Sequence, residues 1–301
     1  MRVLVTGGAG FIGGYVCDEL HRRGHVPVIF DRHRETISSR AVMLGDTRDA
    51  AAVSEAVAHV DGVIHLAGVL GTQETISNPR PAAETNIFGG LNVLEACAQY
   101  NAPLVYIAVG NWFEQNTYSI TKTTAERFVQ MFVRYRDLRA CSVRCFNVYG
   151  PGQSVAQPYG ESHVRKIIPS FVMRALHGEP IEVYGDGQQV MDMIFAADAA
   201  DVLVSALLHL AGGGAPGTLW EAGTGRATNV AQIAAMVRNE VSEQTGQAPR
   251  VEHLLMRPGE TPGVAVLAEP SRLRELGLSP LSFVKLEDGL RWTIKHYREL
   301  L

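Results

Sequence analysis

Short aliphatic runs recur along the first half of the chain: RVLVT (2–6), VPVIF (26–30), AVMLG (41–45), GVIHL (62–66), PLVYIA (103–108) and CSVRCF (141–146). Each is apolar almost throughout rather than alternating, the mark of strands covered on both faces. Between them apolar positions follow the helical period, as over 12–23 and 81–100. Strands separated by such helices predict parallel pairing. Residues 1–150 therefore read as a doubly wound α/β domain.

After NVYGPGQ (147–153) the pattern loosens. It predicts a helix at about 163–177, a strand at IEVYG (181–185), another around MDMIF and a helix from Asp198. AGGGAPG (211–217) reads as a loop, and GTGRATN (223–229) leads into a further helix. VEHLLM (251–256), RPGETPG (257–263) and an amphipathic helix near 285–299 close the chain. Residues 151–301 are expected to form a smaller substrate lobe, with one or two strands returning to the main sheet. The cleft between the two is the expected ligand site.

With 301 residues, 46% hydrophobic and 19% charged, the chain is long enough for a sizeable core. A net charge of −4 and no basic run give no reason to expect nucleic acid or an anionic membrane as partner. No apolar run reaches the roughly 18–20 residues of a membrane span. MRVLVTGG enters a strand directly, so a signal peptide is not expected and a cytoplasmic location is. Cys17, Cys97, Cys141 and Cys145 fall inside predicted elements without a ligand cluster, so they read as reduced core thiols and no metal is expected.

VTGGAGFIG (5–13) sets Gly7, Gly10 and Gly13, with Phe11 and Ile12 between, directly after the first strand and at a helix start. Glycines there allow a tight turn, and the helix N-terminus attracts a pyrophosphate. In this strand–helix context the motif points to a Rossmann dinucleotide site. Asp31 ends the second strand, where a carboxylate accepts from both ribose hydroxyls and repels a 2′-phosphate, favouring NAD over NADP. Arg32 and Arg34 beside it pull the other way, or belong to a solvated loop. GDTRD (45–49) and HLAG (65–68) end the third and fourth strands, with His65 read as scaffolding.

In order and spacing, VTGGAGFIG, GDTRD, HLAG, ETNIFGGLNVLEAC, YSITK, VRCFNVYGPGQ, VYGDGQQVMDMIFAADAA, EAGTGRATN and RPGE resemble the extended short-chain dehydrogenase/reductase superfamily. The resemblance is to its NAD-dependent epimerase/dehydratase family, which acts on nucleotide sugars. It implies NAD contacts from Asp31, Asp46, Thr47, Leu66, Ala67, Asn86, Tyr118 and Lys122, with NAD recycled within one turnover. Tyr118 and Lys122 also stand four apart, on one face of a helix. An ammonium beside a cationic nicotinamide is expected to lower the tyrosine pKa, making Tyr118 a base for a sugar hydroxyl.

The resemblance also implies a Ser or Thr where this chain has Val109 or Gly110, and a loop before the tyrosine longer by more than a dozen residues. Asn111 and Thr117 are candidate polar substitutes. Thr117 reads better as a helix N-cap with Ser119 and Thr121 exposed, and Asn111 either meets a sugar oxygen or shapes the turn. Relatives that dehydrate place an acidic pair after that hydroxyl; here Asn111 and Trp112 follow Gly110, with Glu114 close by. Asn147, the backbone near 168–169 and Arg257 are the expected diphosphate site, with Arg165, Lys166 and Arg174 the other nearby cations. Met191 stands where many relatives carry an arginine. The reading is an epimerase, with a dehydratase or a non-catalytic NAD-binding protein as rivals. Apolar faces carrying Ile87, Leu91 and Leu94, and Phe128 and Phe132, are expected to pair in a homodimer.

Overall fold

The computed structural model describes residues 1–33 and 42–301; Arg34 and the start of the strand expected at 41–45 lie outside them. The first half runs β1 (Arg2–Thr6), α1 (Phe11–Arg22), β2 (Val26–Asp31), β3 (Val42–Leu44), α2 (Ala50–Val57) and β4 (Gly62–His65). It continues with α3 (Arg80–Ala83), α4 (Gly90–Tyr100), β5 (Leu104–Val109), α5 (Thr117–Arg136), β6 (Ala140–Cys145) and β7 (Val148–Tyr149). The second half contributes α6 (Ile167–Leu176), β8 (Ile181–Tyr184), β9 (Val190–Met191), β10 (Ile194–Phe195), α7 (Ala196–Ala211) and β11 (Leu219–Ala222). Then follow β12 (Thr228–Asn229), α8 (Val230–Thr245), β13 (Val251–Leu254), β14 (Ala265–Val266) and α9 (Leu286–Glu299).

Seven strands form one parallel sheet in the order β11-β6-β5-β4-β1-β2-β3. The continuous apolar runs follow from this: one face of the sheet packs on α1 and α7 through Val5, Val105 and Leu203, the other on α4 and α5 through Leu4, Leu104 and Val129. Beyond the sheet, small strand pairs and α6, α8 and α9 enclose a separate core around Phe171, Ile181, Val237 and Ile294.

Two expected elements are cut differently. The helix read over 81–100 starts at Arg80 and carries a π-helical turn, Glu84–Gly89, between α3 and α4. The strand read at MDMIF is split into β9 and β10 by Asp192, which is fully buried. Its carboxylate accepts from Thr224 N and Oγ1, Gly225 N and Ala268 N, so it ties three loops instead of continuing a ladder. Among the described residues no helix is long and apolar enough to cross a membrane.

Candidate active site

The carboxyl ends of β1, β2, β4, β5 and β6 open on one cleft of about 600 Å³, closed on the far side by the lobe of the second half. Parallel pairing sets all these strand ends on one edge, where open α/β sheets bind ligands. At one end the turn after β1 presents Gly7, Gly10, Phe11, Ile12 and Gly13. Gly7 takes a positive φ of 70°, and a Cβ at Gly13 would lie 2.3 Å from the Gly7 carbonyl oxygen. Asp31 lines the same end, one carboxylate oxygen accepting from Ala9 N at 3.1 Å and the other from His33 N at 3.2 Å. Asp46 and Thr47 line it too, the Asp46 carboxylate held below its usual range by Arg48.

Leu66 and Ala67 form the floor. Their turn is pinned from behind: Thr6 Oγ1 lies 2.6 Å from His65 Nδ1 and accepts from Ala67 N at 3.2 Å. Burial pushes the His65 ring down to about 3, so it stays neutral. Asn86 does not line the cleft. Its amide is spent on Val69 N, Val69 O and Thr121 Oγ1, which makes it a brace between the wall loop and α5.

Tyr118 and Lys122 meet the cleft from the first turns of α5. Lys122 is 3% exposed, with Nζ 4.2 Å from the Tyr106 ring centroid. Burial pushes its ammonium down to about 7, against opposing pulls from Cys145 and Glu126. Burial drives the Tyr118 phenol upward as well. Burial, and then Cys145, hold the phenol above its ordinary value, so the expected lowering is not a property of the chain alone.

The loop before Tyr118 departs from expectation in several ways. The helix cap is Asn116, whose Oδ1 accepts from Ser119 N at 3.0 Å; Thr117 instead donates to Thr75 O. Ser119 and Thr121 are buried, not exposed. Gly110 has no room for a hydroxyl-bearing side chain, since a Cβ there would meet the Phe146 ring at 2.6 Å. Val109 faces the cleft and brings only methyl groups. Its register partner on β6 is Cys145, a free thiol that packs against the core and also lines the cleft; burial pushes that thiol up to about 12. Asn111 reaches the cleft and donates to Glu114.

On the lobe side, Asn147, Lys166, Ile168, Met191 and Arg257 line the cleft. Asn147 donates to Asp192 O. Arg257 sits 4.9 Å from the Tyr184 ring and is paired with Glu260, its Nε buried without a partner. Arg165 lines the cleft but is bound to Glu182 and Tyr184, and Arg174 is turned away onto Pro180, Glu179 and Glu182. Among the cations expected here, Lys166, Arg165 and Arg257 line the cavity and Arg174 does not. Asn116 and Cys145 were missed as site residues. The asparagine just before a helical pattern was the available signal; a cysteine inside an apolar strand gives none.

A glycine turn at a helix start, a carboxylate one strand over and a Tyr–Lys pair across the sheet edge define a dinucleotide-dependent oxidoreductase-type site. Residues 3–223 match the model of the NAD dependent epimerase/dehydratase family, and the chain belongs to that family. It is an enzyme class that uses NAD, and the turn, Asp31 and the Tyr–Lys pair fit that cofactor. Its relatives include a dTDP-glucose 4,6-dehydratase of Mycobacterium tuberculosis, 31% identical over 99% of this chain and 94% of that one. A UDP-N-acetyl-alpha-D-glucosaminuronate decarboxylase of Bacillus cytotoxicus is 26% identical over 99% of this chain and 98% of its own. The UDP-glucose 4-epimerase of Thermus thermophilus, solved in complex with NAD, superposes with a TM-score of 0.85 at 30% identity over the whole of both chains.

Proposed function

We propose that this protein is an NAD-dependent epimerase of a nucleotide-activated sugar. The observation that carries the reading is the cleft that joins the Gly7–Gly13 turn and Asp31 at one end to Tyr118, Lys122 and the Arg257 wall at the other. NAD, when bound, supplies the hydride acceptor. Tyr118 takes the proton of the sugar hydroxyl being oxidised and later returns it. Lys122, over the Tyr106 ring, orients the neighbouring ribose and steadies the phenolate. Asp31 accepts from the adenosine ribose hydroxyls. Arg257, Lys166 and Asn147 supply donors for the diphosphate, at the cost of releasing Arg257 from Glu260.

Asn111 is read here as a sugar-side group, through its contact with Glu114. The 4,6-dehydratase reading is the second one, favoured by the Glu114 carboxyl that lines the same cleft as Tyr118. Four free cysteines support a reducing, cytoplasmic setting. We read a homodimer from the outer face of the α3–α4 and α5 helices, where the expected Ile87, Leu91 and Phe128 are half-buried. Leu94 and Phe132 belong to the core, whereas Phe88 (61% exposed), Ile120, Met131 and Tyr135 (69% exposed) form the outer surface of the paired helices.

The test is incubation of NAD-loaded protein with a panel of nucleotide sugars, UDP-glucose first, followed by mass and NMR analysis. Epimerisation leaves the mass unchanged and inverts one centre. Loss of one water assigns the dehydratase reading, and no turnover on any member rejects both.

A further inference from the structure

Lys122 is a buried cation without an anion. It is 3% exposed, its Nζ lies 4.2 Å from the Tyr106 ring centroid, and among the described residues it enters no ion pair. A buried ammonium is ordinarily paired, because an unpaired charge is costly away from water. A carboxylate stands close by. Glu126 follows Lys122 at i+4 on α5, the spacing at which side chains meet across one helical turn, with Cβ atoms about 5–6 Å apart. Glu126 is itself buried, and its charge is felt at both Lys122 and Tyr106. Yet the two do not pair.

Arg144 is the reason. On β6 it stands in register with Ala108 of β5 and Glu221 of β11, which sets its side chain on the sheet face that α5 covers. From there Nε donates to Glu126 Oε2 at 3.0 Å and Nη2 to Oε1 at 2.8 Å, a fork that occupies both oxygens. Its Nη1 lies 3.7 Å from Glu221, and the guanidinium carbon is 5.0 Å from the centre of the Trp112 ring. Trp112 is tied to α5 in turn, its carbonyl accepting from Thr123 Oγ1 at 3.3 Å. A guanidinium offers Glu126 two charge-assisted bonds where an ammonium offers a point contact, so the arginine wins the competition. Without it, Glu126 would be a buried carboxylate one turn from a buried ammonium.

We propose that Arg144 is a positioning residue for Lys122: its fork holds Glu126 and keeps that carboxylate off the lysine, whose Nζ stays open to the cofactor ribose and to Tyr118. The inference rests on the part given to Lys122 in the proposed reaction, and it names the group that keeps the lysine available for it. The titratable groups facing Lys122 are Tyr118 and Glu126, one turn to either side on α5, Tyr106 on β5, Cys145 on β6 and His65 on β4. Glu126 is the one carboxylate among them.

The lysine can be followed directly, by carbon NMR of lysine-labelled, cofactor-free protein titrated with base. Burial holds the wild-type midpoint at about 7. In Arg144→Met the released Glu126 is expected to move it upward, and Arg144→Met/Glu126→Gln to bring it back to the wild-type position or below. An unchanged midpoint in Arg144→Met, or an equal rise in the double variant, overturns the proposal. Where Arg144→Met does not fold, Arg144→Lys takes its place, alone and with Glu126→Gln; a lysine keeps the charge but cannot fork both oxygens, and the same two outcomes decide. Turnover of a nucleotide sugar gives a second readout. Arg144→Met should lower kcat roughly 10–100-fold, the worth of one charge-assisted bond that Lys122 must break, and Glu126→Gln on top of it should restore kcat to within about threefold of wild type. A merely structural arginine predicts no rescue, since the second substitution removes one more partner, and absence of rescue overturns the assignment. Should no nucleotide sugar be turned over, the functional reading fails on its own and the titration still decides.

Discussion

Replacing Gly13 with alanine perturbs the cofactor turn in a way that can be worked from the backbone. The added Cβ would lie 2.3 Å from the Gly7 carbonyl oxygen, 2.6 Å from Gly8 Cα and 2.8 Å from Gly8 C. The closest contact is 0.7 Å inside the 3.0 Å that real Cβ atoms respect. All three atoms are main chain of the same turn, so no side chain can swing away. Overpacking of this kind costs about 1–3 kcal/mol. With that strain on the pyrophosphate-binding conformer, NAD affinity drops by roughly 5–150-fold. The neighbouring Gly14 is the control, since a Cβ there meets nothing within 4 Å inside α1. Gly14→Ala should gain about 0.5–1 kcal/mol from reduced backbone freedom. Urea unfolding of the cofactor-free variants and calorimetric titration with NAD read both effects. A Gly13→Ala protein with wild-type urea midpoint and NAD affinity within threefold would refute the assignment of this turn.

Three further outcomes follow from the same geometry. Lys122 titrates near 7 in the folded chain against about 10.4 unfolded, so the unfolded state binds more protons between those values. Stability of the cofactor-free protein should therefore rise with pH across that window, and Lys122→Met should flatten the rise; an unchanged slope contradicts the buried ammonium. NAD should bind at least about tenfold tighter than NADP, with the gap narrowed by Asp31→Asn, and a preference for NADP would undo the ribose assignment. Light scattering at micromolar concentration should give a dimer that Phe88→Glu with Tyr135→Glu converts to monomer, and a wild-type monomer rejects that interface.

The parallel sheet was legible because strands buried on both faces leave continuous apolar runs, and the helices between them keep their period. The turn at 5–13 and the Tyr–Lys pair were legible for a similar reason, since each is a local pattern whose chemistry depends on near neighbours in sequence. β11 was not located, because its half-exposed positions alternate in only four residues. Asp192 looked like part of a strand because its partners, Thr224, Gly225 and Ala268, come from 32 to 76 residues away. Asn86 was assigned to the cofactor, but its neighbours Val69 and Thr121 turn it into a brace. Side-chain competition of that sort, like the closing of Arg257 onto Glu260, is set by tertiary approach and leaves no trace in spacing.

The central claim is that Tyr118 handles the proton of a nucleotide-sugar hydroxyl. It is tested most directly by comparing wild type with Tyr118→Phe on one turned-over nucleotide sugar, measuring kcat together with equilibrium affinity for that sugar. The phenylalanine fills the same space and lacks only the hydroxyl. The account predicts that affinity stays within about threefold while kcat falls by roughly 10²–10⁴-fold. A variant that keeps full turnover would contradict it.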